Sequence, residues 1–113
     1  MKIINGKLTA AELKKMAVES FGNLVKAVVD LDRELVAVDA ELHSDLEALL
    51  LQDGSKQKNL WGINIYPEMQ GEEFIEFDSL INIRPSQGNK SRGVENQEVR
   101  AKIVAIVNKR VQR

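Results

Sequence analysis

Residues 24–42 read LVKAVVDLDRELVAVDAEL, and this stretch decides the fold class. It holds two runs rich in Val and Leu, 24–31 and 35–42, with the polar triplet DRE between them. Apolar residues take every second position in each run, so one face of each run is apolar, as in a half-buried strand. Two such runs joined by a short polar turn predict an antiparallel β-hairpin.

A second pair of alternating runs follows downstream. Residues 60–66 (LWGINIY) and residues 74–84 (FIEFDSLINIR) each have period 2, and the second run keeps it for eleven residues. The segment between them contains Pro67 and Gly71, which favour a turn. We therefore expect a second hairpin and, together with the first, a sheet of four antiparallel strands.

Helical patterns precede the first hairpin and follow the second. Thr9 and Glu12 form a capping box ahead of apolar residues at helical spacing, so a helix is predicted over residues 10–21. Asn96 can cap a last helix whose apolar stripe includes Ile103 and whose polar face is basic. The strand region is thus expected to have one helix at each end.

Between the hairpins, residues 44–52 (SDLEALLLQ) fit a short helix in which Ser44 and Glu47 repeat the capping-box signature. The run is also compatible with a buried strand, because periodicity does not separate the two at this length. With a helix here, the order α-β-β-α-β-β-α predicts a single α+β domain over residues 1–113, with helices on one face of the four-stranded sheet. One core is expected from Leu13, Phe21, Trp61, Ile63, Ile65, Phe77, Ile81, Ile83, Ile103 and Val107.

Composition narrows the class of protein. The chain has 113 residues, enough to bury a core without disulfides or a structural metal, and it has no Cys. The lack of Cys excludes thiolate nucleophiles, Cys-ligated metal sites and disulfide frameworks. No stretch has a signal-peptide pattern, and no apolar run approaches the roughly 18 residues of a membrane span. A soluble cytoplasmic protein with no membrane partner is expected.

Charge is unevenly distributed along the chain, although the formal net charge is −1. Residues 1–83 carry 8 Lys and Arg against 15 Asp and Glu, whereas residues 84–113 carry 8 against 2. A basic segment can attract nucleic acid or another polyanion. Alternatively, the basic helix lies across the acidic part of its own domain or of a second copy.

The strongest candidate site is the end of the last predicted strand and the loop after it. Gly88 and Gly93 let backbone amides of this loop point inward, and the loop leads to a helix N-terminus, which favours anions. A Walker phosphate loop is excluded because the required glycine spacing is missing. The alternative is a polar connector without function. The candidate anion-binding residues are Arg84, Ser86, Asn89, Lys90, Ser91 and Arg92.

A second candidate surrounds His43, the only histidine of the chain. Alternation along the predicted strand puts His43 on one side with Asp39 and Glu41, and Asp45 and Glu47 follow it. Such a group suits a cation or acid–base chemistry, and the alternative is a surface histidine or one that caps the entry of a helix. One imidazole without thiolates does not build a closed zinc site, so neither a structural metal nor a cofactor is expected.

The third candidate is the polar face of the second predicted hairpin. Residues two apart on a strand share a face, so their side chains are neighbours if the strand forms. The bland alternative is a hydrated outer face. The members of this face are Asn64, Tyr66, Glu76, Asp78 and Asn82.

Three stretches resemble a family of small uncharacterised bacterial and archaeal proteins, known only as a domain of unknown function. They are TAAELKKMAVESFGNLVKAVVD (9–30), ELHSDLEALLLQDGSKQKNLWGINIYP (41–67) and EFDSLINIRPSQGNKSRGVE (76–95). The resemblance covers nearly the whole chain and is most specific in LLLQDGSKQKNLWGINIYP and INIRPSQGNKSRGVE. It implies a free-standing intracellular protein and carries over no activity, substrate or catalytic residue.

The preferred functional hypothesis is a small binding module that holds an anionic ligand, either a phosphate-bearing molecule or a nucleic-acid backbone, in the loop after the last strand. The alternative is a homodimeric interaction protein, motivated by apolar residues on the less apolar strand faces, Leu24, Val28, Leu35 and Leu80. An enzyme ranks third, because no nucleophile motif is present. Its chemistry would rest on Arg84, His43, Asp78 or Glu76.

Overall fold

Five strands form one antiparallel sheet, and three helices pack on it in the computed structural model, which describes residues 1–113. None of the three helices is long and apolar enough to span a bilayer. In chain order the elements are β1 (Lys2–Ile4), β2 (Leu8–Thr9), α1 (Ala10–Glu19), β3 (Val25–Asp30), β4 (Leu35–Val38), α2 (His43–Gln52), β5 (Leu60–Ile65), β6 (Ile75–Glu76), α3 (Gln97–Arg110) and β7 (Val111–Gln112).

The sheet has the strand order β1-β4-β3-β5-β6, with β3 at its centre. Val28 of β3 lies opposite Ala37 of β4 and Gly62 of β5. The α+β class and the hairpin of β3 and β4 are confirmed, although β4 already ends at Val38. The four-stranded layout is wrong in detail, because the three-residue β1 adds an edge strand to β4. A separate parallel pair joins β2 to β7.

The helices cover both faces of the sheet, which corrects the prediction of a single covered face. α1 and α3 pack on the face that bears Trp61, Ile63 and Ile65. α2 packs on the opposite face, over Val28 and Leu35. The central strands are apolar on both sides, and a strand of that kind must be buried from both sides. Val28 and Leu35 therefore lie in a second core and do not belong to an exposed patch.

Local signals set the helix ends. In α1 the Glu12 amide donates to the Thr9 hydroxyl at 3.1 Å, so the predicted capping box is confirmed. Asn96 caps α3 as predicted. The second predicted capping box is wrong, because α2 begins one residue before Ser44 and its N-cap is Leu42, whose side chain accepts no hydrogen bond.

The second predicted hairpin is largely absent. β6 pairs only Glu76 with Asn64 and Ile75 with Ile65, and the chain then forms two 3-10 turns, Leu80–Asn82 and Pro85–Gln87. The expected single core is corrected accordingly. Ile83 and Phe21 are both 42% exposed. Ile81 packs with the α2 core, and Trp61, Ile63, Ile65, Leu13, Ile103 and Val107 share the other core as expected.

Candidate functional site

Asn82 occupies the place along β5 where a partner strand is missing. Its side-chain oxygen accepts the Gly62 amide at 2.8 Å, and its Nδ2 donates to the Gly62 carbonyl at 2.9 Å. Gly62 has to lack a Cβ here, since one would lie 2.5 Å from the Cβ of Ser79. The predicted position of Asn82 on an open polar face is thus wrong, because its side chain is fully buried at the sheet edge.

Asn89, a predicted anion ligand, instead organises the loop. Its Nδ2 donates to the carbonyls of Asn82 at 2.7 Å and Gly93 at 2.8 Å, and its Oδ1 accepts the Glu95 amide at 2.9 Å. The residue is 3% exposed. Its amide is committed to the backbone of its own segment.

Arg84 is buried, which corrects its predicted position on the polar surface. Its guanidinium donates to the carbonyls of Leu60 and Ile81 and lies 4.9 Å from the centre of the Trp61 ring. The Glu47 carboxylate lies 3.7 Å away. Burial lowers the pKa of Arg84, and the Glu47 charge opposes that shift. Arg84 therefore has a structural role that sequence alternation did not indicate.

The loop forms the amide cluster that the sequence predicts, but a carboxylate of the chain already fills it. The backbone amides of Lys90 and Ser91 donate to one Glu95 carboxylate oxygen at 2.7 and 3.0 Å. These hydrogen bonds lower the pKa of Glu95. Among the predicted anion ligands, the side chains of Ser86, Lys90, Ser91 and Arg92 remain exposed.

His43 is buried at the start of α2. Its Nε2 lies 2.8 Å from the Ile63 carbonyl oxygen, so in the neutral ring Nε2 carries the hydrogen. Burial lowers the pKa of His43 and is the largest cause of its shift. Asp39 and Glu41 do not share a strand face with it, because both follow the end of β4 and are exposed. No group of three or more His, Asp or Glu side chains is placed to hold a metal ion.

A polar pocket of about 230 Å³ opens beside His43. Lys26 and Asn64 face each other across β3 and β5 and supply its sheet side. Asp78 and Arg92, from the irregular segment, also line it, and their carboxylate and Nε are 2.7 Å apart. The pocket thus joins members of all three predicted groups, namely His43 from the second, Asn64 and Asp78 from the third, and Arg92 from the first.

The N-terminus of α2 opens into the same pocket, which Leu42, His43 and Ser44 line. No side chain caps this end, so its amides and the helix dipole favour an anion there. The positive charges of Lys26 and Arg92 also favour an anion in this pocket. These charges also contribute to the lowered pKa of His43, whereas the Asp78 charge raises it.

Asn64 brings to the pocket a buried hydrogen-bond acceptor that has no donor. Its Nδ2 donates to the Glu76 carboxylate at 2.8 Å, and Tyr66 donates to the same oxygen at 2.9 Å, so three members of the predicted polar face do meet. Burial and the Glu76 hydrogen bond raise the pKa of Tyr66. The Asn64 Oδ1 is buried without any hydrogen-bond donor, and a buried acceptor of this kind costs about 1–3 kcal/mol.

Sequence reasoning missed Lys26 and Ser44 as site residues. Lys26 stands alone among apolar residues in an alternating strand, which is usually a solvated position. The available signal was its register opposite Asn64, and that depends on strand pairing.

The chain belongs to the family described as Protein of unknown function (DUF5674), whose model matches residues 2–110. No curated protein and no solved structure matches the chain.

Proposed function

We propose that this protein binds a small oxyanion that carries at least one O–H or N–H donor, in the pocket at the N-terminus of α2. Hydrogen phosphate, 2-hydroxy acids and amino acids all have this chemistry. Lys26, Arg92 and the uncapped helix end attract the anionic group. The protein is a binding module in this proposal.

The observation that carries the proposal is the Asn64 Oδ1. Glu76 fixes the amide orientation by taking its Nδ2, so the oxygen faces the other way and requires a donor. A buried amide oxygen without a donor, on a residue that lines the same pocket as two cations and a free helix end, supports a ligand with both an acid group and a donor. A plain anion such as sulfate meets only the first requirement.

The size and charge of the protein favour a small ligand over a nucleic acid. The pocket volume of about 230 Å³ lies below the roughly 300–1,000 Å³ of sites for drug-sized ligands. The sequence pI is about 5.9, whereas nucleic-acid-binding domains usually exceed about 9. In the basic segment, Arg84, Arg92 and Lys109 pair with carboxylates of residues 1–83.

The proposed site differs from the loop favoured by the sequence. Glu95 already neutralises the loop amides, and Arg84 is buried against backbone carbonyls. Arg92 is the predicted ligand that also lines the pocket, and it keeps its role in the proposal.

Two matched pairs of ligands test the donor requirement by calorimetric titration at pH 7. Phosphate carries an O–H at this pH and sulfate does not, and glycolate carries a hydroxyl that acetate lacks. Phosphate and glycolate are expected to bind about tenfold more tightly than their partners, as a satisfied buried hydrogen bond predicts. Equal binding within both pairs contradicts the role of Asn64, and binding of an oligonucleotide alone contradicts the small-ligand proposal.

Three variants test the location. Lys26→Gln is expected to weaken binding, whereas Asp78→Asn is expected to strengthen it by releasing Arg92 from its ion pair. The Asp78–Arg92 pair is largely exposed, so its loss costs the fold at most about 1 kcal/mol. Lys90→Gln is the matched control, because Lys90 is exposed and lies outside the pocket lining. Weakening by Lys90→Gln alone would move the site back to the loop.

A further inference from the structure

A larger groove lies between α3 and the segment around β6, away from the α2 pocket. Its volume is about 710 Å³, within the roughly 300–1,000 Å³ range of sites for organic ligands. Ile75, Phe77, Ala101 and Val104 give it an apolar lining. Val104 is 38% exposed on a helix whose other large apolar residues mostly face the core, so this part of α3 has no packing partner.

Two arginines flank this apolar lining, and each lies on a phenylalanine ring. The Arg100 guanidinium lies 4.9 Å from the centre of the Phe77 ring, and that of Arg113 lies 3.8 Å from the Phe74 ring. Cation–π contacts of this kind fix the plane of a guanidinium and leave its edge N–H groups available. Both cations are thus held in defined orientations at the groove.

Neither guanidinium has a carboxylate partner. Arg100 donates through Nε to the Val94 carbonyl, and Arg113 donates through Nη2 to the Asn108 side-chain oxygen at 2.8 Å. No ion pair of the structure includes either residue. In contrast, Arg84, Arg92 and Lys109 of the same basic segment are each paired with an acid. Arg110, the third arginine without an ion pair, donates to the backbone carbonyls of Glu34 and Asn5, so two of the three unpaired arginines lie at this groove.

We infer that the groove binds an amphipathic anion, an organic carboxylate or sulfonate with an apolar aromatic or acyl body. The apolar body lies against Val104 and Ile75, and the acid group accepts hydrogen bonds from Arg100 and Arg113. This site takes a ligand of different size and chemistry from the α2 pocket. It does not depend on the proposed function there.

The probe for this site is 8-anilinonaphthalene-1-sulfonate, which joins an aromatic body to an anion and becomes fluorescent in an apolar site. Saturable enhancement is expected with native protein at pH 7, with near-UV circular dichroism unchanged. The double variant Arg100→Gln, Arg113→Gln is expected to weaken the probe about tenfold or more, because it removes the charge-assisted hydrogen bonds. Glu72→Gln, which removes the only acidic side chain of the lining, is expected to tighten probe binding.

Lys102→Gln is the matched control. Lys102 lies on the same helix, carries the same charge and has no part in this groove, so its loss is expected to leave the probe affinity unchanged. Octanoate is expected to displace the probe. Acetate, which lacks the apolar body, and octylamine, which has the wrong charge, are expected not to displace it. Phosphate titration of the double variant should match the wild type, which separates the two sites.

Two results would overturn the inference. One is an identical probe affinity for wild type, the double variant and Val104→Asp. The other is displacement by polyglutamate with no displacement by octanoate, which would assign the groove to an acidic protein segment.

Discussion

The β3–β4 hairpin and the segment 77–95 satisfy their backbone polar groups in different ways. In the hairpin, peptide groups pair with peptide groups, since β4 lies between β1 and β3, and β3 between β4 and β5. In residues 77–95, peptide groups pair only in turns and short bridges, and the side-chain amides of Asn82 and Asn89 bond to further peptide groups. The hairpin is therefore fixed by a ladder that tolerates many side chains, whereas the second region depends on a few particular ones. The candidate α2 pocket takes Asp78 and Arg92 from this second region.

The largest expected effect comes from the regular region, at Trp61. Trp61→Ala is expected to lower the free energy of unfolding by about 3–5 kcal/mol, because the ring is 5% exposed and fills the core beneath α1 and α3. Urea unfolding followed by far-UV circular dichroism measures the change, since Trp61 is the only tryptophan. Phe21→Ala is the control at a 42% exposed ring, and an equal loss there would contradict the assignment of the core.

A smaller but still large loss is expected in the irregular region, from Asn82→Ala. The change leaves the Gly62 amide, the Gly62 carbonyl and the Arg92 carbonyl without their side-chain partner. Each buried unpaired group costs roughly 1–3 kcal/mol, and partial hydration reduces the sum, so about 3 kcal/mol is expected. Asn23→Ala, at an exposed loop position, should cost less than about 0.5 kcal/mol. If both variants unfold alike, Asn82 does not replace a strand.

The same contrast explains which parts of the fold were predictable. Residues 24–42 form the predicted hairpin because two runs rich in Val and Leu flank a short polar turn, although both faces of β3 and β4 are buried. Residues 74–84 alternate equally well, but Ser79 and Asn82 bond to backbone groups, as short polar side chains do when they compete with a ladder. An alternating pattern shows only which positions are polar. It does not show whether a polar side chain will compete with strand pairing for backbone hydrogen bonds. The core position of Trp61 was therefore predictable, and the buried state of Arg84 was not.

The sequence indicated several residues of the candidate site, but it did not indicate where in the fold they meet. His43, Asn64 and Arg92 were each singled out in a different group, and tertiary packing brings them to one pocket. The sequence also indicated the inward amides of the loop. Their occupant, Glu95, is four or five residues away, at the end of the predicted loop and just before the helix cap Asn96. A local sequence pattern does not show which acidic side chain will accept hydrogen bonds from a cluster of backbone amides.

Gly62→Ala tests the contact at which the two regions meet, with an expected cost of about 1–3 kcal/mol. The added Cβ would lie 2.5 Å from the Ser79 Cβ, so the 77–95 segment has to move away from β5. In the double variant Gly62→Ala, Ser79→Gly the overlapping atom is gone. Its loss of stability should therefore be smaller than the sum of the losses of the two single variants. Urea unfolding of the four proteins of this cycle gives the coupling energy. Strict additivity would show that the two residues are not in contact.

The smallest expected effect is a pH dependence from His43, where α2 meets β5. Burial lowers the pKa of folded His43 below the usual 6.5, with Lys26 and Arg92 lowering it further and the Ile63 hydrogen bond and Asp78 opposing the shift. Below pH 6.5 the unfolded chain therefore binds a proton that the folded protein does not, and the linkage relation makes stability fall as pH decreases. The full stability is present above pH 6.5 and declines towards the lower, folded pKa. Glu34 and Glu95 have pKa values below the usual 4.5, and their contribution is the same in the wild type and in a His43 variant. His43→Gln keeps an N–H donor for the Ile63 carbonyl and removes the titration, so its stability should change less than that of the wild type over this interval. Urea unfolding in a buffer free of phosphate and carboxylates measures both proteins, and parallel curves from pH 7 to 5 would contradict the burial of a neutral His43.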